Sequence, residues 1–223
     1  MSETAFGYNI PSGSFCSSLI DATSRKNPLT VPDILTTART VLRRWQPSDA
    51  GQLEPILAAN WEHLGPWLPI HVATPAPKAE LETRLAGYVA DFDADLKWRY
   101  GMHSADEQNL LGEVDMFPRD ANGRVAYGDS DRVEIGYWVR SDITGRGYVT
   151  EGVRRMLDLA AALDRVERVE IRCDSRNKPS AAIPEKLGFV LAQTIKEHSP
   201  AFKDPDAELQ VWSLEISNYR SMK

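Results

Sequence analysis

The chain has 223 residues, 42% hydrophobic and 26% charged, enough apolar material for one domain with a full core, with or without an extension. No stretch approaches the ~18 continuous apolar residues of a membrane-spanning helix, and residues 1–24 lack the basic start and apolar run of a secretory leader. The net charge of −6 argues against a broad nucleic-acid surface and is compatible with attracting a cationic amine or a basic protein terminus. Two cysteines, Cys16 and Cys173, are too few for a disulfide framework or a metal cluster, and a cytoplasmic setting is expected.

Residues 1–37 are rich in Ser, Thr, Pro, Asn and Gly without sustained periodicity, and read as an extension that is partly ordered at most and packs on the domain or a partner. A domain over residues 38–223 opens with a short strand at 40–45. Pro47, Ser48 and Asp49 supply start chemistry for a helix over 50–59. A second helix follows over 78–93, with Leu81, Leu85, Tyr88 and Val89 on one face. Strands are expected at 97–103, 110–117 and 133–140, the last two separated by a polar loop. A helix from Val149 places Val149, Val153, Met156, Leu157, Ala160 and Leu163 at helical spacing, a stripe that should bury against a sheet. Val169, Ile171 and Cys173 then alternate with Arg168, Glu170 and Arg172, as in a strand with one buried face. Two more strands are expected at 189–197 and 209–216. The unit of strand, helix and strand from 133 to 173 is a parallel crossover, expected right-handed. Ligands commonly sit at the carboxyl ends of such strands.

The turn Gly145-Arg146-Gly147 joins the apolar strand directly to the amphipathic helix, and backbone N–H groups at such a junction cradle phosphate. About thirty residues on come Asn177, Ser180 and the run Glu185-Lys186-Leu187-Gly188-Phe189. Together these resemble the GNAT family of acetyl-CoA-dependent N-acetyltransferases, and within it the RimJ/RimL branch that modifies protein N-termini. The resemblance covers roughly residues 38–218. It implies an α/β (α+β) fold with a mixed, largely antiparallel seven-stranded sheet flanked by helices. In the family's loop pattern, the positions for Arg or Gln, for Gly, and for Gly or Ala are here Thr144, Gly147 and Val149, so only the central glycine matches.

The resemblance implies that Gly145, Arg146, Gly147, Tyr148 and Val149 bind the cofactor pyrophosphate. It also implies that the end of the preceding strand, Trp138, Val139 and Arg140, lies along the pantetheine arm. Asn177 corresponds to the asparagine that steadies that arm, or it caps the short helix that follows. The tyrosine acid of many relatives would fall at Pro184, which has no proton to give. Ser180 matches the serine of RimL-like relatives, and it either protonates the leaving thiolate or caps the following helix. A general base would help deprotonate an ammonium, and Glu134 is the first candidate, Glu113 the second and a water chain the third. Residues 60–69 resemble the region that walls the acceptor, so that Trp61 and Trp67 either flank the substrate or fill the core. His63, His71, His103 and His198 show no metal spacing and read as surface or loop histidines, and no metal is expected. Cys173 reads as an inert core thiol. The expected reaction is direct acetyl transfer to a primary amine. A protein N-terminal α-amine leads, with a small amine (antibiotic or polyamine) or a non-catalytic acyl-CoA-binding module as alternatives. Neither nucleic acid nor membrane is expected as a partner, and a homodimer is left open.

Overall fold

The computed structural model describes residues 31–196 and 208–221, so Cys16, His198 and most of the expected extension lie outside the described residues. Eight strands form one sheet: β1 (Ile34–Thr36), β2 (Thr40–Arg44), β3 (Trp98–Ser104), β4 (Leu110–Arg119), β5 (Arg132–Val139), β6 (Arg168–Asp174), β7 (Val190–Lys196) and β8 (Glu208–Glu215). Their order is β1-β2-β3-β4-β5-β6-β8-β7. Among the described residues only the β5–β6 pairing is parallel, so the sheet is mixed and largely antiparallel. The strand beyond the expected seven is β1, which falls within residues 1–37. It is three residues long and buries only Leu35, opposite Leu42 of β2, so it carries no readable period.

Six helices flank the sheet: α1 (Ala50–Leu64), α2 (Ile70–Ala73), α3 (Lys78–Asp93), α4 (Tyr148–Ala162), α5 (Lys178–Lys186) and α6 (Ile216–Ser221). Helix α1 runs past the expected end at residue 59 through Trp61, and the short α2 and α6 were not anticipated. On α4 the expected stripe is buried from Val149 through Val153, Met156 and Leu157 to Ala160. The larger of these side chains each contribute about 1.5–3 kcal/mol when withdrawn from water, so packing on the sheet decides where this helix sits. The sheet separates two cores. One joins α4 to the central strands through Met102, Val114, Ile135, Val153 and Ile171. The other joins α1 and α3 to the opposite face through Trp45, Leu57, Leu85, Leu110 and Trp138.

Candidate active site

β5 pairs with β4 along its whole length, from Arg132↔Arg119 to Val139↔Gly112. Its pairing with β6 covers only Arg132, Val133 and Glu134. Beyond the Glu134–Glu170 pair, whose ladder the Ile135 amide closes, the two parallel strands part, and the edge of β5 from Gly136 to Val139 faces no strand. A cleft of about 950 Å³ runs through this gap, past the Gly145–Thr150 turn, Cys173 and Ser180, to the face of the sheet walled by Trp67 and His71.

The glycine turn is built for close backbone approach. Gly145 and Gly147 have φ of +74° and +84°, a region that L side chains rarely adopt, and Gly147 is the N-cap residue of α4. The first N–H groups of that helix have no intrahelical acceptor and carry its positive dipole end. Arg39 braces the turn from the loop between β1 and β2. Its Nη2 donates to the Arg146 carbonyl at 2.9 Å, its Nε to Glu151 Oε1 at 2.7 Å, and its guanidinium lies 4.6 Å from the Tyr148 ring centroid. Sequence reasoning missed Arg39, because its partners lie more than a hundred residues away. Val139, Tyr148 and Val149 line the cleft. Trp138 also lines it, with its side chain packed into the α1–α3 core. The Arg140 side chain is not part of the lining. It clasps Asp142 and donates to the Leu110 carbonyl at 3.2 Å, because the chain turns away at the end of β5.

Asn177 caps α5, its Oδ1 accepting from the Ser180 N–H at 3.2 Å. Asn177 is therefore the cap, and the Ser180 hydroxyl is released from that role. The Ser180 hydroxyl lies 3.2 Å from the Tyr137 hydroxyl, and the Tyr137 hydroxyl in turn donates to the Ser180 carbonyl at 2.9 Å. Burial pushes the Tyr137 phenol above its ordinary range. Burial also pushes the Cys173 thiol up. Cys173 thus lines the cleft in addition to its place on the buried face of β6. Gly188, with φ of +83°, ends α5 and returns the chain to the buried Phe189.

The opposite face of the sheet carries a charged floor. Glu113 is buried, with Oε1 2.7 Å from Arg99 Nη1 and Oε2 accepting from Trp45 Nε1 at 2.8 Å. Both of its oxygens are engaged, so it stands as a structural carboxylate; burial pushes it up. Asp115 lies 3.0 Å from Lys97 Nζ, and against the effect of burial the Lys97 and Arg99 charges hold it below the ordinary range. Glu134 also lines the cleft, and its Oε2 is held by Arg119 and lies 3.4 Å from Arg172 Nε. Its Oε1 takes no hydrogen bond among the described residues. Burial pushes the Glu134 carboxyl up, with Arg119 and Arg172 opposing.

Trp67 lines the cleft mouth together with His63 and His71. Trp61 is not in the lining and faces solvent from α1, because the helix that carries it outlasts the expected one. Asn60, buried on the same helix, accepts from both the N–H and the hydroxyl of Ser141 at 2.8 Å, tying α1 to the turn after β5. His103 is buried on β3, 3.4 Å from Arg43, contrary to its reading as a surface or loop residue. The strand alternation turns it inward.

Residues 39–190 match the acetyltransferase (GNAT) domain family. The chain belongs to this family. Among curated relatives, this acetyltransferase is 27% identical over 67% of its length to a "putative ribosomal N-acetyltransferase YdaF" of Bacillus subtilis (strain 168), covering 76% of that protein. It is 24% identical over 71% of its length to the "[Ribosomal protein uS5]-alanine N-acetyltransferase" of Escherichia coli (strain K12), covering 79% of that protein. A solved RimL, a ribosomal L7/L12 alpha-N-protein acetyltransferase in complex with coenzyme A, shares the fold with a TM-score of 0.69 at 16% identity. That match covers 82% of this chain and 97% of RimL. The microcin C7 self-immunity acetyltransferase MccE, in complex with acetyl-CoA and AMP, matches with a TM-score of 0.71 at 16% identity, over 83% and 97% of the two chains.

Proposed function

We propose that this acetyltransferase, working in the cytoplasm, moves the acetyl group of acetyl-CoA directly to the α-amine of a protein N-terminus. The observation that carries the reading is the continuous cleft, which joins the glycine turn, through the gap between β5 and β6, to the charged floor beneath Trp67. The donor set fits the cofactor: N–H groups at the start of α4 suit a pyrophosphate, and the unpaired edge of β5 suits the amide-bearing pantetheine arm. When bound, acetyl-CoA supplies an acyl carbon activated as a thioester. Relatives named for acetylating ribosomal-protein termini support the choice of acceptor.

Each residue then has a task. Glu134 offers its free Oε1 to the incoming ammonium and takes a proton from it, directly or through water. Backbone N–H groups along β5 steady negative charge that develops on the acyl oxygen. The Ser180 hydroxyl, which donates to the Tyr137 hydroxyl at rest, turns its proton to the departing sulfur and is reprotonated, through water, by the second proton that the acylated nitrogen sheds. Cys173, its thiol raised by burial, is a poor nucleophile, which supports direct transfer over a covalent enzyme intermediate.

Thiol release from acetyl-CoA, measured with N-terminal peptides, aminoglycosides and polyamines in parallel, tests the reading. Turnover with peptides well above that with small amines is the expected result. Turnover with small amines alone would reassign the acceptor, and acetyl-CoA binding without turnover would indicate the non-catalytic module.

A further inference from the structure

The chain as a whole is acidic, with a net charge of −6, yet the cleft is not. Arg146, Arg176 and Lys186 line its cofactor half, with Arg176 paired to Asp174. The acceptor half is lined by Lys97, Arg99, Arg119, Arg124 and Arg172 against Glu113, Asp115 and Glu134. All three carboxylates are engaged by cations of the same wall. Lys97, Arg99 and Arg119 are buried, so their charges are only weakly screened.

Arg124 is the cation left over. Its guanidinium lies 4.1 Å from the Phe117 ring centroid, and among the described residues it has no carboxylate within ion-pairing distance. Across from it stands Arg119, bridged to it backbone to backbone, and Arg119 holds Glu134. Glu134 is the β5 residue paired with Phe117, and the Arg124 guanidinium lies over that Phe117 ring, so one cross-strand step of ~4.5–5.5 Å and a side chain's reach, together on the order of 10 Å, separate it from the Glu134 carboxylate. An extended peptide covers that span in about three residues at ~3.3 Å each. Arg84 adds a second cation without a carboxylate partner among the described residues. It donates to the Val72 and Thr74 carbonyls that frame α2. Burial, then Arg99, Lys97, Arg124 and Arg84, push the His71 imidazole below its ordinary range.

We propose that the acceptor is a peptide terminus with an acidic side chain at its second to fourth residue, its carboxylate meeting Arg124 while its amine reaches Glu134. This rests on the N-terminal reading above. It reverses the attraction for basic termini that the net charge suggests, and it disfavours polyamines, whose further ammonium groups would face the same cations.

The test uses hexapeptides with N-terminal alanine that differ only in Glu, Gln or Lys at residues two to four, with kcat/KM as the readout. The expected order is Glu over Gln over Lys, with about fivefold at each step, shrinking as salt is raised. Arg124→Glu should invert the order while coenzyme A affinity stays unchanged, which also shows that the variant is folded. Peptides acetylated equally whatever their charge would overturn this inference and leave N-terminal acetylation standing. Free glutamate and acidic dipeptides form a further arm. Turnover of these with no hexapeptide acetylated would overturn both readings.

Discussion

Ser180 and Tyr137 come from α5 and β5, 43 residues apart, and meet through two hydrogen bonds. If the Ser180 hydroxyl serves the leaving thiolate, Ser180→Ala should lower kcat by about 10²-fold, with acetyl-CoA affinity nearly intact. Tyr137→Phe removes the group that orients that hydroxyl and should cost about fivefold, the worth of one net hydrogen bond. In the Ser180→Ala background Tyr137→Phe should add nothing, because its only route to the chemistry has gone. Additive losses in steady-state kinetics would separate the two residues. Glu134 gives a pH signature. A peptide α-amine with a pKa of ~7.7–8.0 is mostly neutral at pH 8.5 and mostly protonated at pH 6.5. Glu134→Gln should therefore cost little at pH 8.5 and more at pH 6.5. The gap should close again at lower pH, as the parent's own carboxylate, raised by burial, takes up its proton. A pH–rate profile of parent and variant that runs parallel throughout would pass the role to water, since Glu113 has no free oxygen.

At the scale of elements, the junction of β5 with α4 concentrates the cofactor contacts on one backbone turn. Gly147→Asp places a negative charge at the helix start and a side chain at φ +84°, where its Cβ would lie 3.3 Å from Arg39 Nη2. Coenzyme A affinity by calorimetry should fall at least about tenfold, and Gly147→Ala, which keeps the strain without the charge, should fall less. This junction was legible in the sequence because a long apolar stripe and two glycines leave few alternatives. The shorter elements were not: β1, α2 and α6 each span six residues or fewer, too short for a period to show. The charged floor was illegible for another reason. Arg99, Glu113 and Asp115 are buried because they neutralise one another across β3 and β4. A hydropathy pattern scores each of them as exposed. Nothing local in the sequence announces a hydroxyl partner on α5 for Tyr137, and Arg124 lies in the polar loop before β5, where no period marks it.

At the scale of the whole molecule, the parting of β5 from β6 leaves a sheet interrupted at its centre. The Arg140 N–H donates to the Leu111 carbonyl at 3.0 Å. By antiparallel alternation, the amides of Trp138 and Gly136 also point to β4; the Ile135 amide closes the ladder to Glu170, and those of Tyr137 and Val139 point into the gap. A central strand therefore carries two classes of amide proton. In free protein, the inward set should exchange with deuterium oxide far faster than its neighbours one residue away. Saturating coenzyme A should slow the Tyr137 and Val139 amides and leave Trp138 and Gly136 nearly as before. Equal protection of both sets without ligand would mean that the gap is closed in solution. The split strand is thus a built-in gauge of occupancy, readable amide by amide without any acceptor, label or turnover.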